Sequence, residues 1–267
     1  MARRKCLTVL RRGPLRVAPG FILIVLVAAS ASCGGGAETP SRSTGTSARE
    51  PVREVALIAS DSSVDFPKTL EAEPLSITFE NRGEKAHTAS FARLNQGITL
   101  QDLRGIRSDI DFFSALTLSA RMPNTKPGES TTLLAEFPPG RYIVVREEDE
   151  VHARFDVTAP SGNEITEPTA DIDVTVGEFY FDMPHELPAG EITLALTNMG
   201  EQGHEMIITD EAKEKDFGLF YAPAPGGKVW YEVTLKPGTY IAACQFTDPK
   251  TGKAHFDLGM RTEFTVK

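Results

Sequence analysis

The sequence predicts an all-β chain built as two tandem β-sandwiches, the first interrupted by a helical insertion. Three observations carry this. Two stretches recur as a pair, apolar residues alternate with period two, and short strand-like runs are separated by Pro and Gly. "PLSITFENRGEKAH" at 74–87 matches "EITLALTNMGEQGH" at 191–204, sharing N-x-G-E-x-x-H. "PPGRYIVV" at 138–145 matches "KPGTYIAA" at 236–243, sharing P-G-x-Y before an apolar strand. The offset from His87 to His204 is 117 and that from Tyr142 to Tyr240 is 98, so the first copy holds 19 extra residues between these landmarks.

The first element is not part of the fold. "MARRKCLTVLRRGPLR" carries six basic residues and no acidic one, "FILIVLVAAS" follows from Phe21, and small residues come next. This is the pattern of a secretory signal peptide over 1–32, with an apolar run too short to span a bilayer. Ser30-Ala31-Ser32-Cys33 resembles the lipobox of bacterial lipoproteins, in which Cys33 would be acylated and become the first residue. The stretch 33–51, rich in Gly, Ser and Thr, then reads as a flexible tether to the outer face of the cell membrane or into a periplasm. Ser30 departs from the leucine usual in a lipobox, and Ala29-Ser30-Ala31 would also serve an ordinary signal peptidase. The lipid-anchored reading is preferred. Arg3-Arg4 and Arg11-Arg12 are only a weak twin-arginine signal.

Removing 1–32 moves the formal charge from −9 to −15. So acidic a surface excludes nucleic acid as a partner and suits either a basic protein partner or simple solubility.

The first sandwich is expected over 52–158. Its extra residues fall around "GITLQDLRGIRSDIDFFSALTLS", where Leu100, Leu103, Ile106, Ile110 and Phe113 recur at helical spacing. Thr99 is the expected N-cap, with a break expected near Gly105. The polar, aperiodic "APSGNEITEPT" at 159–169 is the expected linker. The second sandwich follows over 170–267, with alternation at Val174, Val176 and Phe179; at Ile192, Leu194 and Leu196; and at Val229, Tyr231 and Val233.

Chemistry concentrates in the second copy. Beyond Cys33 the chain has a single cysteine, Cys244, in "KPGTYIAACQFTDPKTGKAHFDLGM", followed by His255 and Met260. An unpaired thiol in an exported chain calls for an explanation. With His204, these four side chains are the donor set of a type 1 copper centre. A thiolate and two imidazoles make a trigonal plane, and a distant thioether tunes the potential without dictating geometry.

Each donor also has a plainer reading. Cys244 can be a small buried hydrophobe, His204 a loop hydrogen-bonder, His255 a solvated turn residue and Met260 a plug at the end of the sandwich. Met206, on the same strand face as His204, is a weaker axial candidate. His185, in a turn, is expected to face solvent.

Here the chain resembles the cupredoxin family, the plastocyanin-like blue copper proteins. "TNMGEQGH" places a histidine after a strand ending in N-x-G, "PGTYIAACQF" leads into the cysteine, and "HFDLGM" keeps an H-x4-M spacing. The resemblance covers 170–267 well and 52–158 as a decayed copy. It implies Greek-key sandwiches, one copper ion near one end of the second, and His204, Cys244, His255 and Met260 as its ligands. The departure lies in the ten residues between Cys244 and His255, where the family usually has two to four. "QFTDPKTGKA" has the turn formers to fold back, but its length puts the rigidity of the centre in question.

In the first copy, Arg146 aligns with Cys244, and His152 has no methionine five residues after it. That copy is expected to hold no type 1 copper and to pack against the second copy or a partner. Only five histidines exist in total, with none beside Cys244 and no H-x-H pair, so the chain is not expected to be an oxidase or other enzyme. The expected function is one-electron transfer between protein partners near the membrane. The alternatives are copper storage or delivery, and a metal-free binding or assembly scaffold.

Overall fold

The computed structural model describes residues 52–106, 114–146, 151–162, 165–210 and 216–267. The expected signal peptide, tether and acylation site at Cys33 lie outside the described residues, as do Ile110 and Phe113 of the insertion.

Among the described residues, each copy contributes nine strands in the same order. The first has β1 (Arg53–Ala59), β2 (Val64–Asp65), β3 (Thr69–Glu71), β4 (Pro74–Asn81), β5 (Ser90–Leu94), β6 (Leu116–Arg121), β7 (Ser130–Glu136), β8 (Gly140–Val145) and β9 (Val151–Thr158). The second has β10 (Ile172–Gly177), β11 (Tyr180–Asp182), β12 (Glu186–Leu187), β13 (Gly190–Asn198), β14 (Glu205–Asp210), β15 (Asp216–Tyr221), β16 (Lys228–Leu235), β17 (Gly238–Ala243) and β18 (Arg261–Val266). The alternation seen in the sequence is the burial alternation of these strands. In β4 every second residue, Leu75, Ile77, Phe79 and Asn81, is buried.

Each copy folds as a two-sheet sandwich, but the sheets number three rather than four. Two five-stranded sheets, β3-β9-β8-β5-β6 and β12-β18-β17-β14-β15, belong to one copy each. The third has eight strands in the order β11-β10-β13-β16-β7-β4-β1-β2, half from each copy. The copies meet where the equivalent strands β7 and β16 pair antiparallel, with Val229 opposite Ala135 and Trp230 opposite Leu134. An edge in each half-sheet, with its row of unpaired N–H and C=O groups, is thereby satisfied by the other copy. The Tyr231 hydroxyl reinforces the junction: it donates to the Tyr221 carbonyl at 2.8 Å and accepts from the Arg121 N–H at 3.2 Å. The first copy thus packs against the second through a shared sheet.

The recurrent P-G-x-Y motif is a tyrosine corner in both copies. Buried Tyr142 donates to the Pro138 carbonyl, and buried Tyr240 to that of Lys236, each at 2.8 Å. Each ring stacks on a core phenylalanine, Phe155 or Phe264. A hydroxyl anchored four residues upstream fixes how the chain enters the strand that leads, in the second copy, to Cys244.

The insertion forms α1 (Leu100–Gly105), a six-residue helix with Thr99 as N-cap in a capping box with Asp102. The helix ends at Gly105, where a break is expected, and Ile106, counted among the helical positions, is already extended. Leu103 is buried against Leu94, Leu116 and Leu118 in a small apolar cluster separate from the main core.

Candidate metal centre

The loop after β13 is built by one buried amide. Asn198 Nδ2 donates to the Gln202 carbonyl at 2.8 Å and the Pro223 carbonyl at 2.9 Å, while Oδ1 accepts from the Gly200 N–H at 2.9 Å. The same arrangement stands in the first copy. There Asn81 bonds the Lys85 and Thr125 carbonyls and the Gly83 N–H. This explains the shared N-x-G: the asparagine side chain replaces backbone partners and turns the chain so that the histidine six residues on points inward. His204 is delivered in this way, fully buried, to the start of β14.

Cys244 directly follows β17, at the end of the strand that the tyrosine corner positions. Its N–H donates to the Met260 carbonyl at 3.2 Å and its carbonyl accepts from the Phe256 N–H at 2.9 Å. The ten-residue excursion before His255 is folded on itself. Thr247 and Ala254 pair as an isolated bridge, and the Asp248 N–H donates to the Lys253 carbonyl at 2.8 Å. Buried Asp248 accepts from the Thr251 hydroxyl at 2.7 Å and from Gln202 Nε2 at 3.1 Å, tying this loop to the one that carries His204. The bridge at 247–254 shortens the effective connection from Cys244 to His255, which answers the question its length raised.

His255 opens a 3-10 turn, His255–Leu258, closed by Gly259 in the left-handed region (φ 113°). The Met260 N–H then donates back to the His255 carbonyl at 2.9 Å.

The side chains converge. His204 Nδ1 lies 3.2 Å from His255 Nδ1, and Cys244 Sγ lies 3.4 Å from His255 Nδ1. All three donor atoms lie within 4.8 Å of one another, and the group can hold one metal ion. Met260 is fully buried in the same apolar cluster as Cys244. Met206 is buried there as well, on β14. His185 is exposed, as expected, with Nδ1 3.2 Å from the Glu263 carbonyl.

Electrostatically the group is unusual without a cation. Burial pushes the Cys244 thiol up to about 12, despite the Glu205 and Phe246 N–H groups directed at it. Burial, then the neighbouring His255, pushes His204 down to about 4. Burial lowers His255 too. The pocket therefore holds a neutral thiol and neutral imidazoles, with two Nδ1 atoms facing each other. Nε2 of each ring is buried without a hydrogen-bond partner. Orphaned buried polar atoms cost about 1–3 kcal/mol each. His204 Nδ1, His255 Nδ1 and Cys244 Sγ would hold a cation, which would favour thiolate over thiol. Soft thiolate with two imidazoles, and a thioether in reserve, is a donor set that fits copper.

Two carboxylates outside the sequence motifs support the group. Glu205 is buried beside His204. Its N–H donates to Cys244 Sγ at 3.5 Å and its Oε1 accepts from the Gln245 N–H at 3.0 Å. Burial pushes its carboxyl up to about 7, against the Gln245 amide. Glu178 accepts from the Glu201 and Gln202 N–H groups at 2.7 and 3.0 Å, with Oε1 3.7 Å from His204 Nε2. Burial works to raise its carboxyl, but those amides hold it below the ordinary range. The signal for Glu178 was in the repeat: Asp61 precedes His87 by the same 26 residues that separate Glu178 from His204.

The first copy shows the same frame with different contents. Asp61 Oδ1 is 2.9 Å from His87 Nε2 and accepts from the Glu84 N–H. The Arg146 guanidinium reaches the Ser60 and Asp61 carbonyls. A fixed cation of the protein itself therefore stands where the second copy has Cys244. His152 lies on β9, part-buried.

Searches against protein-family models and curated protein sequences give no match. Among solved structures, the chain is similar to reduced auracyanin from Roseiflexus castenholzii, with 22% identity over 36% of this chain and 94% of that one, TM-score 0.29. It is also similar to a multicopper oxidase, with 16% identity over 81% and 89%, TM-score 0.26. A third is reduced rusticyanin, with 20% identity over 36% and 78%, TM-score 0.27. No functional conclusion rests on likenesses of this size.

Proposed function

We propose that this chain is an exported copper protein that carries single electrons between partners at the membrane, with the metal held in the 170–267 half by His204, Cys244, His255 and Met260. The observation that carries the reading is the convergence of one donor atom each from His204, Cys244 and His255 within 4.8 Å in a buried pocket. Copper supplies a one-electron couple whose two oxidation states share this ligand set.

The residues of the chain do the rest. His204 enters from the loop that Asn198 fixes, and Cys244 and His255 flank a second loop fixed by Asp248 and backbone hydrogen bonds. Such a pocket resists rearrangement when the charge at its centre changes, and slow rearrangement is what impedes electron transfer. Phe179 packs edge-on to the His255 ring, with centroids 5.2 Å apart, and keeps water from that side. Met199 and Phe256, on the two loops that bring in the histidines, are exposed large apolar side chains suited to transient contact with a protein partner. The anchor is Cys33. The first copy, with Arg146 in place of a thiolate, serves as a structural and docking half.

The test is reconstitution of the purified full chain with Cu(II). An intense thiolate-to-copper absorption at one ion per chain, absent in Cys244→Ser, supports the carrier. Tight Cu(I) uptake without that band points instead to storage or delivery. No stoichiometric copper leaves a metal-free scaffold.

A further inference from the structure

We propose that Glu178 is a positioning residue for the centre: its carboxylate holds the proton of His204 on Nε2, so that Nδ1 is presented to the ion as a free lone pair. A neutral imidazole has one N–H. If that proton sits on Nδ1, the nitrogen aimed at Cys244 and His255 cannot bind a metal. The choice is made by whatever faces the other nitrogen. His204 Nε2 is buried and lacks a hydrogen bond, and Glu178 Oε1, at 3.7 Å, is the carboxylate that faces it.

The placement of that carboxylate is built in. Glu178 is clamped by the Glu201 and Gln202 N–H groups, so it cannot swing away from the loop that carries His204. Glycine at residue 200 leaves room for it as placed: a Cβ there would stand 2.5 Å from Glu178 Oε1 and force the carboxylate to shift. The first copy repeats the device with its contact closed. Asp61 is clamped by the Glu84 and Lys85 N–H groups and bonds His87 Nε2 at 2.9 Å. A Cβ on Gly83 would stand 2.5 Å from Asp61 Oδ1. Carboxylate, asparagine, glycine and histidine keep one common offset of 117 residues. The clamp therefore accompanies the histidine in both halves, with or without the thiol.

This inference rests on the copper reading for its metal-dependent consequence but not for its tautomer. Nitrogen-15 imidazole shifts of the metal-free full chain are expected to show His204 as the Nε2–H tautomer, and Glu178→Gln, which leaves only a weaker, neutral acceptor at the Oε1 position, to shift part of the population to Nδ1–H. Glu178→Gln keeps an oxygen for the Glu201 and Gln202 N–H groups, so its metal-free melting temperature should stay near that of the parent. Affinity for both copper states should fall, since both use Nδ1, and the lost negative charge should weaken Cu(II) about tenfold further, since partners of this type are typically worth about 10–100-fold. A tenfold selective loss raises a one-electron potential by about 59 mV. Glu178→Asp should recover part of both effects. A parent chain already in the Nδ1–H form, or a Gln variant unchanged in tautomer, affinity and potential while Glu178→Ala loses only stability, would reduce Glu178 to a loop tie and overturn the proposal. If the parent takes up no copper, the electron-carrier reading fails and the tautomer measurement still decides this one.

Discussion

Replacing Asn198 with alanine removes three hydrogen bonds at a fully buried position: two from Nδ2, at 2.8 and 2.9 Å, and one to Oδ1, at 2.9 Å. At a net ~1 kcal/mol per bond the loss is about 3 kcal/mol, and any partner left dry adds to it. Asn81→Ala removes the matching three bonds in the first copy, at 2.7, 2.8 and 2.9 Å, and should cost a similar amount. The pair separates stability from site geometry. In urea unfolding of the metal-free chain both variants should shift the midpoint alike, in one transition, because β7 and β16 join the copies in a single sheet. Only Asn198→Ala should also weaken copper, because only its loop ends in a histidine grouped with a thiol and a second imidazole. A loss below about 1 kcal/mol in both variants, or equal weakening of copper by both, would refute the role given to the asparagine.

Gly259→Ala forces a side chain into the left-handed region at φ 113°. The new Cβ meets the Phe179 carbonyl only at an ordinary 3.6 Å, so the cost is conformational, about 1–2 kcal/mol, read by thermal unfolding. Acid behaviour of the metal-free chain sets Glu205 against His204, with His255, also lowered by burial, on the side of His204. His204, lowered to about 4, contributes stability present above the ordinary histidine range and lost as pH falls through that range toward 4. Glu205, raised to about 7, contributes stability present at low pH and lost as pH rises through 4.5 to 7. Each is of order 3 kcal/mol, so they offset across pH 4.5–6.5, and Glu205→Gln should expose a steep loss of stability on acidification there. An equally flat profile in that variant would contradict the assignment. Copper binding at pH 8.5 should release about one proton, from Cys244, since the imidazoles are already neutral; calorimetry in buffers of different ionisation enthalpy reads the number.

Much of the architecture was legible because strands and corners leave local marks. The alternation in β4 and β13 follows from one buried face, and P-G-x-Y marks a tyrosine whose hydroxyl bonds only four residues back. The candidate donors could be named because thiol, imidazole and thioether are chemically distinctive even when sequence distance hides that His204, Cys244 and His255 lie together. The shared sheet left no such mark. Whether β7 pairs with β16 or meets solvent depends on what lies beyond its edge, and "STTLLAE" reads the same either way. The order of the loop after Cys244 was hidden for a related reason. It depends on Asp248 reaching Gln202, 46 residues away, a contact that turn propensity does not encode. Glu178 was hidden by chemistry: the repeat has Asp in one copy and Glu in the other, and the longer side chain disguises a common position.

X-ray absorption at the copper edge, recorded on the loaded chain in both oxidation states, tests the central claim most directly. Two nitrogens and one short sulfur contact, unchanged in number on reduction, are the predicted result. An ion without sulfur in its shell, or a ligand lost or gained between the two states, would contradict the account.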